Sequence, residues 1–309
     1  MSLVPPTSQP DSHAVAPEAG VTASWRPRAL VAFLCAMGVA VLIYPQAAQW
    51  INAWSQANTI HSYSDGVAAV PGAERERLLQ EAHTYNSQLT GKPPPDPYSA
   101  STPATPETLA ALTQYQGILN VDSAMARIRI PAINVDLPIY HGTSKESLDR
   151  GVGHLFGTAL PVGGASTHSV LTAHRGIPES KFFNRLPELI VGDNIVIDVL
   201  GEQLVYRVTA TEVVLPHETD SLARVPNNDL LTLITCTPYA VNTHRLLVHA
   251  ERTTDLAVVA SASEEADVTN SIPFPWWIIW GSVTLLAGAA FVFIPMRWGH
   301  KNQDEGESD

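Results

Sequence analysis

Three side chains in this sequence have the types that nucleophilic chemistry on a peptide bond requires. Cys236 ends the apolar, β-branched run DLLTLITC, and Arg245 begins the run RLLVHAER nine positions later. His174 ends a third apolar run, SVLTAH. A thiolate is the nucleophilic form of cysteine, and a nearby cation or imidazole favours it. The pattern therefore predicts a thiol nucleophile, provided that the fold brings the three side chains together.

The other two residues can each supply a different part of such a reaction. Arginine stays charged at any relevant pH, so Arg245 can donate hydrogen bonds to a developing oxyanion. Histidine titrates near neutral pH, so His174 can protonate a departing amine. If the runs that carry Cys236 and Arg245 are neighbouring strands, both side chains can face one groove. We therefore expect Cys236 as nucleophile, His174 as acid/base and Arg245 as electrophilic support.

Two uncharged apolar runs lie on either side of these residues, and both are expected to cross a membrane. The run from Ser271 to Met296 is long enough to span a hydrocarbon core of roughly 30 Å. The run from Ala29 to Tyr44 comes near the lower limit of roughly 17 residues when it is extended through Ala48. The alternative for this first run is a signal peptide that is cleaved after its alanines.

Basic residues beside the two runs set the expected orientation. Arg26 and Arg28 precede the first run, and Arg297 and Lys301 follow the second. Because basic residues are enriched on the cytoplasmic side of membrane spans, we expect both termini in the cytoplasm and residues from about 50 to 270 outside. The formal net charge of −12 argues against nucleic acid as a partner, since that requires clustered lysine and arginine.

Cysteine usage supports a special role for one thiol. Cys35 lies in the first apolar run, so Cys236 is the only cysteine of the expected exported region. It has no partner there for a disulfide, and an odd thiol in an oxidising compartment requires an explanation. The alternative is a buried, inert thiol, which is common for cysteine. A zinc site is disfavoured because a single exported cysteine stands without zinc-type Cys/His spacing.

Most of the other polar residues near the three side chains are expected to have structural roles. Any single histidine among the eleven is more often structural than catalytic. Five exported histidines are therefore interpreted as surface or hydrogen-bonded residues: His154, His168, His217, His244 and His249. Thr235 and Asn242 are expected to shape the groove, as strand and turn residues, without a part in the chemistry.

The predicted secondary structure changes along the chain. Residues 46–90 have apolar positions at helical spacing, interrupted at Pro71-Gly72. The segment GKPPPDPYSASTPATP (91–106) predicts a linker or a covering loop. From about residue 120 the sequence consists of short β-like runs, with a hairpin turn predicted at Leu200-Gly201-Glu202. These runs indicate a mainly β domain, either a small closed barrel or a sandwich.

Two long stretches resemble the sortases, and within them the class C, pilus-assembling group. TLITC, ending at Cys236, is similar to the TLxTC signature of that family. The wider stretches are GVGHLFGTALPVGGASTHSVLTAHRGIP (151–178) and TLITCTPYAVNTHRLLVHAER (232–252). The resemblance covers residues from about 120 to 255. It implies a closed eight-stranded β-barrel with short helices, in addition to the two transmembrane helices.

The resemblance also implies roles for individual residues. The nucleophile, histidine and arginine of the family fall on Cys236, His174 and Arg245. The class C lid motif, Asp-Pro followed by an aromatic residue, falls on Asp96, Pro97 and Tyr98. In the family the lid acid contacts the arginine and the aromatic residue covers the thiol. Two positions depart from the usual pattern: Ala173 stands where glycine is usual, and the lid aromatic is a tyrosine where phenylalanine or tryptophan is commoner.

The two kinds of inference together predict seven segments. They are a cytoplasmic tail (1–27), a transmembrane helix (28–48), a helical segment with the lid loop around 91–106 (49–120), the catalytic barrel (121–258), a stalk (259–271), a second transmembrane helix (272–296) and a cytoplasmic tail (297–309). The acidic end DEGESD (304–309) is interpreted as a solvated terminus without a function.

The expected function is that of a cysteine transpeptidase anchored in the cell membrane. The resemblance implies that Cys236 forms a thioester with an LPXTG-like sorting signal, and that a lysine amine of another pilin subunit resolves it. The expected partners are therefore pilin subunits and the lipid bilayer, with no nucleic acid, metal or cofactor. The alternatives are an exported cysteine peptidase, a sortase that anchors proteins to the cell wall, and a non-catalytic, membrane-tethered binding module.

Overall fold

A computed structural model of the chain describes residues 25–89, 96–98, 105–177, 181–268 and 274–294. Contacts among these residues divide the chain into two units. One unit contains the described residues up to 42 and from 278 onward, and the other extends from residue 43 to residue 277. The expected terminal tails before residue 25 and after residue 294 lie outside the described residues, as does most of the lid loop around 91–106.

The described part of the first unit consists of the beginning of one apolar helix, up to residue 42, and of a second apolar helix from residue 278. Helix α1 begins at Trp25 and continues to Ala69, and helix α6 is Trp276–Phe293. Each is long and apolar enough to cross a membrane, and the most apolar stretch of each helix is not buried against other parts of the protein. The predicted span 28–48 therefore does not end as a separate helix, because α1 passes through Pro45 without a break. The predicted span 272–296 contains the whole of α6.

Two further helices precede the β domain. Helix α2 is Gly72–Gln88, so the predicted interruption at Pro71-Gly72 is found between α1 and α2. Helix α3 is Pro106–Gly117, and the side chain of Thr105 caps its first turn by accepting a hydrogen bond from the backbone N–H of Thr108. Proline at the first helical position suits this start, because its missing N–H would have no helical partner there.

Eight strands form one closed barrel. Their bounds are β1 Ala126–Ile130, β2 Val135–His141, β3 Val152–His154, β4 Thr167–Thr172, β5 Asn194–Val199, β6 Glu202–Val214, β7 Asp229–Thr237 and β8 His244–Arg252. Around the barrel they follow the order β1-β2-β3-β4-β7-β8-β6-β5. Most neighbours are antiparallel, but β2–β3 and β4–β7 are parallel. The expected closed eight-stranded barrel is confirmed. Because the barrel is closed, every strand has a hydrogen-bonded neighbour on both sides.

Alternation along the strands separates the core from the outer surface. On β7, Leu231 and Leu233 are fully buried inside the barrel, whereas Thr232, Ile234 and Cys236 face outward. The predicted hairpin turn joins β5 to β6 at Leu200-Gly201, both of which have positive φ. Two short helices complete the domain: α4 is Lys145–Arg150, and α5 is Leu256–Val268.

Helix α5 differs from the stalk predicted for 259–271. Ala262 is fully buried and packs with Val196 of β5 and Val205 of β6. The small side chain of Ala262 allows this close contact of α5 with the barrel. The end of the predicted stalk, from residue 269, lies outside the described residues.

Buried polar residues tie the helices to the barrel. The Tyr63 hydroxyl of α1 donates to the carbonyl of Met125 (3.2 Å) and accepts from the backbone N–H of Leu200 (3.0 Å). Burial raises the pKa of Tyr63 to about 12, so it stays neutral. The Tyr115 hydroxyl of α3 lies 2.9 Å from Nδ1 of His154 and accepts from the N–H of Gly142 (2.9 Å). These contacts fix α1 and α3 at the end of the barrel where β2 and β3 terminate.

Candidate functional site

Cys236, His174 and Arg245 converge on one outer face of the barrel. Cys236 of β7 and Arg245 of β8 are direct cross-strand partners. The parallel pairing of β4 with β7 ends at Thr172 opposite Ile234, and its register is continued by a hydrogen bond from Ala173 N–H to the Ile234 carbonyl (3.3 Å). Two residues past Thr172, His174 therefore lies level with Cys236. The three side chains form one row across β4, β7 and β8.

Asp96 forms an ion pair with the guanidinium of Arg245. Its two carboxylate oxygens accept from Nε and Nη2 of Arg245, each at 2.8 Å. The side chains are almost fully buried, with 6% of Asp96 and 10% of Arg245 exposed. Nη1 of Arg245 also donates to the carbonyl of Asn242 (3.1 Å), the turn residue expected to shape the groove. A two-point ion pair with this geometry is strong and directional. In this state, Nε and Nη2 of Arg245 are therefore hydrogen-bonded to Asp96.

Tyr98 covers the row beside this ion pair. Its ring lies 5.0 Å below the Arg245 guanidinium and 5.9 Å from the His174 ring. Its hydroxyl donates to the carbonyl of Ala173 (2.8 Å) and accepts from the Thr172 hydroxyl (2.7 Å). Burial raises the pKa of Tyr98 well above its ordinary value, so the hydroxyl stays protonated as a donor. Tyr98 thus closes the groove with both ring contacts and hydrogen bonds.

The closed arrangement disfavours the thiolate. Cys236 is 9% exposed. Burial raises the pKa of the Cys236 thiol, Arg245 lowers it, and Asp96 raises it again, with a net increase above the ordinary value. Because Asp96 neutralises Arg245, the cation that would favour a thiolate is largely cancelled. The thiol is therefore protonated at neutral pH while Asp96 and Tyr98 are in place.

His174 is also held in its neutral form. Burial lowers the pKa of His174, whereas Asp149 raises it and Lys145 lowers it. Asp149 of α4 has a carboxylate oxygen 3.9 Å from Nε2 of His174, too far for a hydrogen bond, and is itself bonded to Lys145. The main-chain carbonyl of His174 accepts from the N–H of Phe183 (3.2 Å), which fixes the end of β4.

Two residues next to the row make contacts that the sequence analysis does not predict. Thr235, expected only to shape the groove, donates to the carbonyl of Ala173 (2.9 Å) and so joins β7 to the end of β4. Arg175, which no prediction included, donates from Nη1 to the Thr237 hydroxyl (3.2 Å), and its guanidinium lies 5.7 Å from the Tyr239 ring. The only sequence signal for Arg175 is its position directly after His174.

The five histidines interpreted as structural have hydrogen bonds or exposed positions. His154 is fully buried, bonded to Tyr115, and burial lowers its pKa to about 4. His168 and His249 both lie within hydrogen-bond distance of Thr232 (2.7 and 2.8 Å). His217 is exposed, and His244 is bonded to Thr243. Among the described residues, no group of three or more His, Cys, Asp or Glu side chains is arranged to hold a metal ion.

The groove floor changes character with distance from the thiol. Next to the row that holds Cys236 is an apolar layer formed by Val170, Ile234 and Leu247. Leu222, from the loop between β6 and β7, and Tyr98 pack against the same layer. Beyond it, one further step along the strands, Thr232 is paired with His249. Along β7 and β8 the floor thus changes from the pair Cys236 and Arg245, through the apolar pair Ile234 and Leu247, to the polar pair Thr232 and His249.

Comparison with known proteins gives the same family from sequence and from structure. The model of the sortase domain family matches residues 128–253. A curated relative, sortase D of Bacillus subtilis, is 30% identical over 113 residues, which is 37% of this chain and 54% of that protein. The match therefore spans about half the length of that relative.

Solved structures match over a larger part of their chains. Sortase C-1 of Actinomyces oris is 49% identical, with a TM-score of 0.56, over 59% of this chain and 98% of that one. Sortase C1 of GBS Pilus Island 1 is 40% identical, with a TM-score of 0.59, over 65% of this chain and 93% of that one. The range that the family model matches, residues 128–253, contains the row of Cys236, His174 and Arg245.

Proposed function

Because this chain belongs to class C of the sortase family, a family of cysteine transpeptidases, we propose that it cleaves an LPXTG-like sorting signal and joins it to a lysine of a pilin subunit. The observation that carries the proposal is the single row of Cys236, His174 and Arg245 beneath Asp96 and Tyr98. One of the similar structures is the sortase of a pilus island, which favours a pilin as the substrate.

The first half-reaction forms a thioester. Once Asp96 and Tyr98 have left, the Cys236 thiol gives its proton to neutral His174. The resulting thiolate attacks the carbonyl carbon of the threonine in the Thr–Gly bond, so an S–C bond forms and the carbonyl oxygen becomes an oxyanion. Arg245 donates hydrogen bonds to that oxyanion. When the intermediate collapses, the C–N bond breaks and the departing glycine nitrogen takes a proton from His174. The acyl group remains on Cys236.

The second half-reaction transfers the acyl group to an amine. A lysine amine of the acceptor pilin subunit attacks the thioester carbonyl and gives a proton to His174. The C–S bond then breaks, which releases an isopeptide product and restores the Cys236 thiolate. His174 is then protonated again, as it was after taking the proton of the Cys236 thiol, so the proton balance closes over the cycle. The order is ping-pong, as covalent catalysis requires.

The described state must change before this reaction can begin. Arg245 cannot donate to an oxyanion through Nε and Nη2 while both donate to Asp96. Tyr98 also covers the layer that a donor peptide would contact. We therefore propose that Asp96, Pro97 and Tyr98 act as a lid, and that departure of the lid frees Arg245 and lowers the pKa of Cys236 by removing the Asp96 charge.

We further propose that α1 and α6 anchor the enzyme in the cell membrane with the barrel outside. The apolar stretches of both helices are unburied, and basic residues lie at their terminal sides in the sequence. A labelling experiment checks this orientation in cells, with Ser2→Cys or Ser308→Cys placed in a chain that lacks Cys35 and Cys236. A membrane-impermeant thiol reagent should fail to label either cysteine until the membrane is permeabilised, and labelling of intact cells would contradict the orientation.

The activity is tested with the full chain in detergent micelles, an LPXTG peptide and a lysine-bearing pilin fragment. Wild type is compared with Cys236→Ala and with Asp96→Ala, and products are identified by mass spectrometry. We expect a peptide joined to a lysine side chain, more of it with Asp96→Ala and none with Cys236→Ala. Cleavage without joining would indicate a peptidase. No product and no thiol labelling in any variant would indicate a binding module.

A further inference from the structure

Arg175 lies at the end of the barrel, just past the residues of the proposed chemistry. It follows His174 directly, and its Nη1 donates to the hydroxyl of Thr237 (3.2 Å), the residue after Cys236 on β7. The guanidinium therefore connects the ends of β4 and β7, the strands that position His174 and Cys236. Because neighbouring residues of a strand face opposite sides, the contact between Arg175 and Thr237 belongs to the end of the barrel and not to the groove floor.

The positive charge of Arg175 is not neutralised by a described residue. Two other basic side chains beside the row are each paired with an acid, Arg245 with Asp96 and Lys145 with Asp149. Arg175 forms no ion pair with any carboxylate in the part of the chain that the structure describes. This end of the groove therefore carries one uncompensated cation.

One nitrogen of the Arg175 guanidinium is available to a ligand. Nη1 donates to Thr237, and Nε is buried without a hydrogen-bond partner among the described residues. Nη2 has no hydrogen bond to a described residue either, but it is not buried. The half-exposed ring of Tyr239 lies 5.7 Å from the guanidinium carbon and packs beside it. A guanidinium held in this way can donate from Nη2 to a carboxylate oxygen.

The proposed chemistry sets the path of a donor peptide past this cation. Its scissile bond must lie between Cys236 and His174, because one attacks the threonine carbonyl and the other protonates the glycine nitrogen. The residues before the threonine pass over the apolar pair Ile234 and Leu247, so the residues after it continue toward the ends of β4 and β7. In an extended peptide the residue after glycine lies about 7 Å beyond the threonine. A long acidic side chain at that position can reach Arg175.

We propose that Arg175 is a specificity-determining residue, and that it binds an acidic side chain at the position directly after the glycine of the sorting signal. The inference rests on the proposed function, because a donor peptide must first occupy the groove. The contact forms before the C–N bond breaks and departs with the released fragment, so it accelerates thioester formation and leaves the second half-reaction unchanged. An arginine that only joined β4 to β7 would stabilise the barrel but would not distinguish between peptides.

The experiment compares two peptides with the full chain carrying Asp96→Ala, held in detergent micelles. Both are LPXTG peptides, and they differ only at the residue after the glycine, which is glutamate in one and glutamine in the other. We expect kcat/KM for release of the fragment that begins with glycine to be about fivefold higher with glutamate, as for a partly exposed ion pair. Adding Arg175→Gln should reduce that ratio to about one. Arg185→Gln, at an exposed arginine of the same connection between β4 and β5 that is paired with Glu188, should leave it unchanged.

The outcomes separate this inference from the proposed function. If both peptides react equally in the Asp96→Ala chain, or if Arg175→Gln keeps the preference, Arg175 does not recognise the donor peptide. If neither peptide reacts, the proposed function itself fails and this inference with it. Thermal unfolding checks that each variant is folded. Should Arg175→Gln unfold, Arg175→Lys keeps the charge, and a retained preference for glutamate supports the site while its loss counts against it.

Discussion

Asp96 and Arg245 are 149 positions apart in the chain, yet their side chains form a two-point ion pair with both contacts at 2.8 Å. The pair holds the proposed oxyanion donor in a buried position next to the thiol. The same carboxylate that removes a donor from Arg245 also raises the pKa of Cys236. One residue therefore controls both the electrophilic and the nucleophilic side of the proposed site.

Replacing Asp96 with asparagine should make Cys236 more reactive. Loss of the carboxylate charge lowers the pKa of the thiol, Arg245 becomes free to favour the thiolate, and easier departure of Tyr98 reduces the burial that raises the pKa. We expect labelling of Cys236 by a thiol reagent at pH 7 to become about tenfold faster or more, with its pH midpoint moved to lower pH. Asp65→Asn, an exposed residue of α1, is the matched control, and equal rates in the two variants would contradict the role of Asp96.

Two substitutions of Tyr98 should separate its hydroxyl from its ring. Tyr98→Phe removes the bonds to Ala173 and Thr172 but keeps the ring over Arg245. Since a hydrogen bond contributes about 1 kcal/mol, thiol labelling should become about fivefold faster. Tyr98→Ala also removes the apolar contact with the groove floor, so its labelling should be faster again. An order in which alanine labels no faster than phenylalanine would show that the ring does not cover the thiol.

Replacing Arg245 with lysine should change labelling and turnover in opposite directions. Lysine keeps the positive charge but cannot reproduce the two-point pair with Asp96, so the lid loosens and labelling of Cys236 becomes faster. Transpeptidation should nevertheless fall by about a hundredfold or more, because oriented donors to the oxyanion are lost. The measurement is product formation by mass spectrometry beside the labelling rate. If both rates rise together, Arg245 has no role in the chemical steps.

The buried contact between Tyr115 and His154 predicts a stability effect without a catalytic one. Tyr115→Phe leaves Nδ1 of His154 and the N–H of Gly142 without their partner. Unsatisfied buried groups of this kind cost about 1–3 kcal/mol, which urea denaturation of the detergent-solubilised chain can detect. Tyr239→Phe, at an exposed ring beside Arg175, is the control and should be near neutral. Equal stability of the two variants would argue against the buried network.

Acid should destabilise the fold through His154. Burial lowers its pKa to about 4, below the value of about 6.5 for an unfolded histidine. Between these values the unfolded state binds the proton and the folded state does not, so the free energy of unfolding falls as the pH falls from 6.5 to 4. The loss from this residue is about 3 kcal/mol at most. His154→Asn should flatten this dependence, whereas exposed His217→Asn should not.

The strand pattern of the sequence was sufficient for the local structure of the site. The run that ends at Cys236 alternates inward leucines with outward residues, and the run that begins at Arg245 does the same, so both were readable as strands. The interruption at Pro71-Gly72 and the turn at Leu200-Gly201 follow from local backbone preferences. Family resemblance supplies the number of strands and the residues of the proposed lid, which periodicity cannot.

Local sequence patterns do not predict contacts between elements that are distant in the chain. The sequence predicts a stalk where helix α5 lies, because the pattern alone does not show the contact of Ala262 with Val196 and Val205. Arg175 and Asp149 had no distinguishing pattern, since their partners lie on other elements. The hydrogen-bonded residues His168, Thr232, His249 and Glu212 come from four strands, and the sequence alone predicts only that the two histidines have structural roles.

The sequence by itself determined the residue types of the proposed site, the apolar helices at the two ends and the strands that carry Cys236 and Arg245, because these depend on neighbours a few positions away. Only the tertiary structure decided that His174 lies level with Cys236, that Asp96 holds Arg245, and that Thr232 connects two histidines to Glu212. The physical reason is that barrel closure sets the register of β4, β7, β8 and β6, and register decides which distant side chains share a face.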